Sequence, residues 1–344
     1  MAIPTVRMVL IHTGKILKGT YQQFTTDELK KMEKAAGFIL NPCTEYGVYG
    51  DNYESHYPLL YSQMKQLSRN TFYVGLPPIN ASDNYGHSDC NKDYSLLSNF
   101  ITRVVEDIAK MKAEGTLKGS FKGFYFTTER VFGTVDATSP TSNPMVKLMN
   151  DLSSLIRKTH KKQFIWAPYL GYNDTYYTIN ENIGIIANRT NIFNYIFLQS
   201  GYYFKDDPKR GEIPIQNLGL AIKSAKNNAM YNFKNDDRQY IISATPVSEK
   251  KTSSTIIGID IEVEDSLYWE LCDKSLTAQE RTFKKNYANS CLKYSSLFVG
   301  GTCPFLFYAG SYSGIIDCNL YETINGFYEN GLVKYPTIRP EHKS

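Results

Sequence analysis

Histidine is scarce in this sequence, and cysteine occurs without a recognisable pattern. The chain has only five His among 344 residues, and they are scattered, so a metal site built from several His side chains is not expected. None of the six Cys forms a C-x-x-C pair, so their spacing gives no zinc or redox motif. Six Cys in a chain of this length do not imply a disulfide framework either. The sequence therefore predicts no metal site and no cofactor.

Long apolar runs and long basic runs are also missing. No apolar stretch reaches the roughly 18 residues needed to cross a bilayer, so no membrane span is predicted. The formal net charge is only +4, and basic and acidic side chains alternate along the chain, which argues against a nucleic-acid partner. Residues Met1 to Arg7 do not resemble a signal peptide. Either the protein is not exported by that route or its leader lies outside this sequence, and the compartment and the oligomeric state stay open.

Tyrosine and phenylalanine are abundant. The chain contains 27 Tyr and 18 Phe. Aromatic side chains fill protein cores, but they also stack on flat ligands such as sugar rings. A general composition bias towards Lys, Asn and Tyr explains the abundance equally well, so composition alone leaves both interpretations open.

The segment 122–130, Lys-Gly-Phe-Tyr-Phe-Thr-Thr-Glu-Arg, reads as a short buried strand that is followed by a carboxylate. Its apolar and aromatic residues have no helical period and favour β-structure. Helical segments precede and follow it, which is typical of a parallel sheet covered on both faces. Because ligands bind at the carboxyl ends of the strands in such sheets, Glu129 is a candidate functional residue. The alternative is a solvated loop residue.

Seven further segments read as strands, and most are separated by segments of helical period. The eight predicted strands are 6–12, 38–40, 71–76, 123–126, 163–169, 193–199, 256–262 and 304–310. The predicted helices are 25–36, 57–69, 96–111, 144–160, 180–187, 213–231, 278–294 and 316–328. The segment 80–93 is predicted to be a polar loop.

Eight strand–helix units predict an α/β fold, a (β/α)₈ barrel of the TIM type. No linker divides the chain, so the prediction is one domain over 1–344, with a core of about 5–330 and a polar tail at 331–344. Residues 238–254 are predicted to form an extra strand or hairpin inserted before the seventh barrel strand. A doubly wound open sheet is the fallback, and it is disfavoured because no Gly-rich phosphate loop follows the first strand.

The predicted strand order brings two carboxylates together. Glu129 follows the fourth strand and Glu262 ends the seventh, so both lie at the carboxyl end of the barrel. Hydrolysis of a glycosidic bond needs such a pair, one protonated as the acid and one ionised as the nucleophile or base. Asp260, Glu262 and Glu264 share one face of their strand, and three like charges are costly to bury. At least one of them should therefore reach the open end.

The remaining strand ends supply candidate substrate contacts. Aromatic residues there could stack on sugar rings, although each could equally be part of the core. The candidates for substrate binding are Trp166, Tyr169, Gln199, Tyr202, Tyr203, Asp260, Tyr308, Asn41 and His12. Together with the two carboxylates, they make a carbohydrate the expected partner.

Five short motifs, in this order and spacing, resemble a bacterial family of barrel domains of unknown function that is related to glycoside hydrolases. The motifs are Gly123-Phe124-Tyr125-x-x-x-Glu129, Phe164-Ile165-Trp166-Ala167-Pro168-Tyr169, Gln199-Ser200-Gly201-Tyr202-Tyr203-Phe204, Gly258-Ile259-Asp260-Ile261-Glu262 and Phe307-Tyr308-Ala309-Gly310. The resemblance spans roughly Val6 to Gly310 and implies a glycosidase-like barrel.

The placement of the two Glu residues is also similar to that in the large clan of retaining glycosidases with (β/α)₈ barrels. That resemblance implies that Glu129 is the acid/base and Glu262 the nucleophile, and we expect Glu129 to occupy the drier position. The clan usually has Asn before its acid/base, whereas Thr128 stands here. A barrel that binds a carbohydrate or a host surface without catalysis, as a toxin or adhesion component, is therefore the alternative. A phosphodiesterase-type barrel is disfavoured because His12 is the only His at a strand end.

Overall fold

The computed structural model describes residues 7–12, 15–17, 20–22, 24–41, 53–170, 177–204, 218–236, 239–244, 250–298, 303–308, 313–330 and 335. The strands are β1 (Arg7–His12), β2 (Lys15–Leu17), β3 (Thr20–Gln22), β4 (Gly37–Asn41), β5 (Thr71–Gly75), β6 (Ser120–Phe126), β7 (Gln163–Trp166), β8 (Tyr195–Gln199), β9 (Tyr231–Asp236), β10 (Gln239–Ala244), β11 (Ile256–Glu262) and β12 (Phe305–Tyr308).

The helices alternate with these strands. The α-helices are α1 (Thr26–Lys31), α2 (Tyr53–Gln66), α3 (His87–Ala113), α4 (Pro144–Ser153), α5 (Tyr177–Arg189), α6 (218–226), α7 (Ser266–Cys272), α8 (Thr282–Phe298) and α9 (Leu320–Asn330). Short 3₁₀ turns cover Leu67–Arg69 and Pro140–Ser142, and π-helical turns cover Ser154–Thr159 and Ser313–Asp317.

Eight strands close into a parallel barrel. Around the ring they follow the order β1-β12-β11-β8-β7-β6-β5-β4, so each pairs with its neighbours in chain order and β12 pairs with β1. This confirms the predicted (β/α)₈ fold and its strand order. The β9–β10 hairpin lies outside the ring and precedes β11, which confirms the predicted insertion. A second hairpin, β2–β3, was not predicted. Apart from Tyr335, the predicted polar tail lies outside the described residues.

Several helix ends differ from the predicted ones, for reasons visible in the caps. The predicted capping box is present: the Thr25 side chain accepts from the Glu28 N–H, and the Glu28 carboxylate accepts from the Thr25 N–H. This first helix nevertheless ends at Lys31 rather than near residue 36. Helix α3 begins at His87, inside the predicted loop, where Asp89 accepts from the Gly86 N–H. The predicted helix 213–231 ends at 226, because β9 begins at Tyr231.

Side chains of the barrel strands divide into an interior set and an exterior set. The interior of the ring is filled by Met8, Leu10, Ile39, Tyr73, Tyr125, Ile165, Ala167, Phe197 and Leu306. The alternate residues face the helices and belong to the much larger core between the ring and its helical layer. Every barrel strand is thus apolar on both faces, as expected for a parallel sheet covered by helices.

Strand β6 contains a bulge that decides which of its residues face the interior. Phe72 pairs with Phe121, but the next residue of β5 pairs with Gly123, so Lys122 is the extra residue. Lys122 is exposed, whereas Phe121 and Phe124 both pack in the exterior core. After the bulge, Tyr125 faces the interior. In the part of the chain that is described, no helix is long and apolar enough to cross a membrane.

Gly123 has no room for a side chain, because β7 runs against it. A Cβ at this position would lie 1.8 Å from the Gln163 carbonyl oxygen. We expect Gly123→Ala to lower the free energy of unfolding by about 3 kcal/mol, measured by urea denaturation, because the backbone of β7 must move.

The matched control is Gly115→Ala. Gly115 has φ +67, but a Cβ added there would meet no atom within 4 Å, so backbone strain alone should cost about 1 kcal/mol. Equal losses for the two variants would show that the contact between β6 and β7 is not the tight one described here.

Candidate active site

Glu129 and Glu262 emerge at the same end of the barrel. Glu262 is the last residue of β11 and pairs with Tyr308 at the end of β12. Glu129 lies three residues after the end of β6, and its backbone is held against the exit of β7. Because all eight strands are parallel, both carboxylates stand over the carboxyl end of one ring.

The chain leaving β8 binds both carboxylates. The Gln199 side-chain amide donates to Glu129 Oε1 at 3.2 Å, and the Gly201 backbone N–H donates to Glu262 Oε2 at 2.9 Å. Gln199 and Gly201 are two residues apart, so their Cα atoms are separated by at most about 7 Å. One short segment therefore fixes one oxygen of each acid.

The segment that carries Glu129 is fixed from both sides. The Thr127 hydroxyl donates to the Leu76 carbonyl oxygen at the exit of β5, at 2.9 Å. On the other side, Trp166 Nε1 donates to the Thr128 carbonyl oxygen at 2.7 Å. The Tyr169 N–H donates to the Glu129 carbonyl oxygen at 3.1 Å. These contacts orient the backbone from which the Glu129 side chain projects.

Helix α8 forms hydrogen bonds with the chain that leaves β8. The hydroxyls of Ser200 and Tyr294 lie 2.8 Å apart, and both residues are buried. The Asn286 side-chain amide donates to the carbonyl oxygens of Tyr202 and Tyr203, at 3.2 and 3.1 Å. Burial raises the pKa of Tyr294, and the nearby Glu262 and Asp260 add to the effect, so its phenol stays neutral.

Gly201 needs to be glycine for two reasons. Its φ is +65, in the left-handed region that other residues rarely adopt. A Cβ on Gly201 would also lie 2.8 Å from the Tyr169 hydroxyl oxygen. The absence of a side chain lets Tyr169 pack on the turn whose N–H binds Glu262.

Asp260 lies beneath Glu262 on the interior side of β11. Its side chain is almost wholly buried, at 2% exposure, and Oδ1 has no hydrogen-bond partner among the described residues. Burial raises the pKa of Asp260 well above its usual value, and the charges of Glu262 and Glu129 raise it further. Donation from the backbone N–H of Tyr308 opposes this only in part. Burial therefore favours the protonated, neutral form of Asp260.

Of the predicted aromatic contacts, Tyr308 and Tyr169 are half-buried at the carboxyl ends of the strands. Tyr308 packs against the interior cluster, and burial raises its pKa, with further contributions from Glu264, Glu129, Glu262 and Asp260. Its phenol is therefore neutral beside the carboxylates. Glu264 lies beyond the end of β11 and is also half-buried, and burial followed by the charge of Asp265 raises its pKa.

Three predicted sugar-binding aromatics lie in the core instead. Trp166 has no exposed area and stacks on Phe193 with ring centroids 5.3 Å apart. Tyr202 and Tyr203 are likewise buried in the exterior core. Ile165 in β7 and Ala167 just after it belong to the interior cluster, so Trp166 between them faces the helices. The prediction that Trp166, Tyr202 and Tyr203 contact a sugar is thus corrected, whereas Tyr169 and Tyr308 stay candidate contacts.

Two polar candidates are engaged with the protein rather than open to a substrate. The Gln199 side chain is buried and donates to the Ala167 carbonyl oxygen as well as to Glu129. Asp260 is buried below the acids. His12 and Asn41 end adjacent strands and pair with each other in register at the same end of the ring. The His12 side chain is outside the described part of the structure, and Asn41 is half-buried.

The relative burial of the two acids differs from the expected one. Glu262 is only 6% exposed, whereas Glu129 is half-buried. The expectation that Glu129 occupies the drier position is therefore wrong. Gly201, Ser200 and Tyr294 were not predicted to be parts of the site. The signal in the sequence was Gly201, which closely follows the polar end of β8. A hydrogen bond from a backbone N–H has no sequence pattern that would predict it.

We expect Asp260→Asn to change the pH dependence of stability. The folded protein keeps the Asp260 proton because its pKa is raised, whereas the unfolded chain releases it above about pH 4. The stability of the parent protein should therefore fall as pH rises from about 4 towards the folded pKa. Asn does not titrate, so the variant should gain stability relative to the parent over that range in urea denaturation.

Asp136→Asn is the control with the opposite sign. Hydrogen bonds from the Thr138 side chain and backbone lower the pKa of this exposed acid. The parent protein then gains stability from Asp136 as pH rises. Asp136→Asn should therefore become less stable relative to the parent over the same pH interval. Parallel pH profiles for the Asp260 variant and the parent would show that Asp260 is not a buried neutral acid.

Trp166 allows a second test, because its ring and its N–H do different things. Trp166→Ala should cost about 3–5 kcal/mol of unfolding free energy through the cavity it leaves. Trp166→Phe keeps most of the packing but leaves the Thr128 carbonyl oxygen without its donor, which should cost about 1–3 kcal/mol. Urea denaturation of both variants measures the losses. Loss of sugar binding with unchanged stability would instead make Trp166 a stacking surface.

Comparison with known proteins does not identify a family. No family model matches the chain, and no curated protein matches it in sequence. Among solved structures it is similar to a GH18 chitinase from Pseudoalteromonas aurantia, with 8% sequence identity and a TM-score of 0.42. The alignment covers 93% of this chain and 99% of the chitinase. The functional assignment therefore rests on the side chains of the site.

Proposed function

We propose that this protein is a glycoside hydrolase that acts on an oligo- or polysaccharide through Glu129 and Glu262. The observation that supports it most directly is the shared anchorage of the two carboxylates: Gln199 donates to one and Gly201 to the other, over the open end of the barrel. Cleavage of a glycosidic bond uses two carboxyl groups that flank it, and this pair supports such a role. Glu129 is more open to solvent and Glu262 more enclosed.

Glu262 is the proposed nucleophile. The backbone N–H of Gly201 donates to Oε2, and a donated N–H favours the ionised form of a carboxylate. The ionised oxygen would attack the anomeric carbon and form a covalent glycosyl-enzyme, while the leaving oxygen departs. The turn at Gly201 is held by helix α8, so this nucleophile is positioned before substrate binds.

Glu129 is the proposed acid/base. It would protonate the leaving oxygen in the first step and take a proton from the attacking water in the second, which releases Glu262. Its half-buried position suits this role, because the water of the second step must reach it. Gln199 positions one oxygen of Glu129 through its side-chain amide.

Asp260 would limit the charge of the site. Three ionised carboxylates in one enclosed region repel one another, and protonation of the most buried acid removes one of those charges. Tyr169 and Tyr308 would form the aromatic part of the substrate surface. Further candidate contacts are His12 on β1, which neighbours the strand of Tyr308, and Asn41 on β4.

The test uses a panel of oligosaccharides and aryl glycosides. Glu262→Ala should abolish turnover, and added azide or formate should restore part of it as a substitute nucleophile. Glu129→Ala should lose about 10²–10⁴-fold in kcat on substrates with poor leaving groups and far less on activated aryl glycosides. Glu264→Gln, two residues after the nucleophile, is the matched control and should keep activity within about tenfold.

The separation of the carboxyl groups decides the mechanism. A crystal structure should place the carboxyl groups of Glu129 and Glu262 about 5–5.5 Å apart for retention, whereas about 6.5–9.5 Å would indicate inversion. Full activity of Glu262→Ala on a glycan that the parent cleaves would refute the assignment. A larger separation, with no glycan cleaved by the parent, would favour a barrel that binds carbohydrate without cleaving it.

A further inference from the structure

A cleft lined by both polar and apolar residues lies at the opposite end of the barrel from the carboxylates. It has a volume of about 220 Å³ and lies between helix α6, with the turn after it, and the segment that leads into β11. Ile256 begins β11 and Glu262 ends it, so about 20 Å of strand separates the cleft from the proposed nucleophile. The cleft therefore belongs to a different site.

Lys251 forms part of the floor of this cleft. Its side chain is only 7% exposed, and Nζ donates to the Thr255 carbonyl oxygen. An ammonium group has three donors and no acceptor, so a carbonyl satisfies one donor and leaves the charge unbalanced. Burial lowers the pKa of Lys251 to about 8, which reflects the free energy required to hold the charge there.

A second lysine lines the same cleft from helix α6. Lys226 is exposed at the rim, and neither lysine forms an ion pair with any carboxylate in the ranges that the structure describes. Buried charges in proteins are usually paired, because an isolated ion loses its hydration without compensation. The buried Lys251 thus has no counter-ion among the described residues, and the exposed Lys226 adds a second positive charge at the rim of the same cleft.

The hydroxyl groups of the cleft are already used to build its wall. Ser253 donates to the Thr255 hydroxyl at 2.7 Å, and Thr255 donates to the Phe193 carbonyl oxygen at 2.9 Å. The Lys251 backbone N–H donates to the Asn228 carbonyl oxygen at 2.9 Å, which fixes the base of Lys251 to the turn after α6. These hydrogen bonds fix the walls of the cleft. The hydrogen-bond donors that stay available to a ligand are mainly the ammonium groups of Lys251 and Lys226.

We propose that this cleft binds a doubly charged tetrahedral oxyanion, a phosphate or sulfate group, between Lys251 and Lys226. A dianion balances the two ammonium charges, and its oxygens accept the remaining Lys251 donors. Asn228, on the same wall, supplies a further donor.

The cleft also has space for an organic fragment attached to the anion. A cavity of about 150 Å³ is enough to hold benzene, and this cleft is larger. Ile222 and Ala225 line one side, and Ile256, 45% exposed, lies at the rim. This apolar wall beside the two charges fits a small phosphate or sulfate ester.

The experiment is calorimetric titration of the full chain with inorganic phosphate, sulfate, phenyl phosphate and, at matched ionic strength, acetate. Saturable one-to-one binding of a dianion, with acetate bound at least about tenfold more weakly, is the expected result. Tighter binding of phenyl phosphate than of phosphate would identify an ester as the ligand class, and a preference between phosphate and sulfate identifies the head group.

Three variants test the residues. Lys251→Met keeps the stem of the side chain but removes the charge, and Lys226→Gln removes the charge at the exposed rim. Each should weaken dianion binding by about tenfold or more, because each removes a charged hydrogen bond. Lys223→Gln, exposed on the same helix but outside the cleft, should stay within about twofold.

Two results would overturn the proposal. One is acetate binding as tight as phosphate binding, or no saturable binding of any dianion. The other is unchanged affinity in Lys226→Gln, a surface variant that should fold even where Lys251→Met does not.

Discussion

The pair of hydrogen bonds from the exit of β8 is the constraint on which the proposed active site depends. Glu129 and Glu262 belong to strands far apart in the chain, and only the closed ring brings their ends near each other. Gln199 and Gly201 then bind one acid each. Helix α8 holds this exit through Tyr294 and Asn286, so one supported turn fixes an oxygen of each acid.

The strand order and the two acids could be predicted from the sequence because both depend on chain order. Eight apolar segments separated by helical ones define the ring, and a carboxylate after a strand lies at its carboxyl end. The orientation of the aromatic residues could not be predicted. Each barrel strand is apolar on both faces, so nothing in the alternation distinguished Trp166, which faces the helices, from Ile165, which faces the interior.

The site brings together acidic groups of which two are buried, and the structure limits the resulting repulsion in two ways. Glu262 receives a backbone donor and Glu129 an amide donor, whereas the deepest acid, Asp260, has an oxygen without any partner among the described residues. A neutral Asp260 follows from this difference. The sequence predicted that Asp260, Glu262 and Glu264 share one face of a strand. It did not show which of them would accept hydrogen bonds in the folded protein.

The bulge at Lys122 sets the phase of the fourth barrel strand. Phe121 faces the helices before the bulge, and Phe124 faces them after it. The next residue, Tyr125, therefore faces the interior of the ring. A side-chain period of two means that one residue more or less reverses every position downstream. The sides of the sheet on which Phe124, Tyr125 and Phe126 project are therefore set by one exposed lysine earlier in the same strand. Inserting or deleting one residue near position 122 would consequently exchange the interior and exterior residues of the rest of β6, while the ring itself could still close.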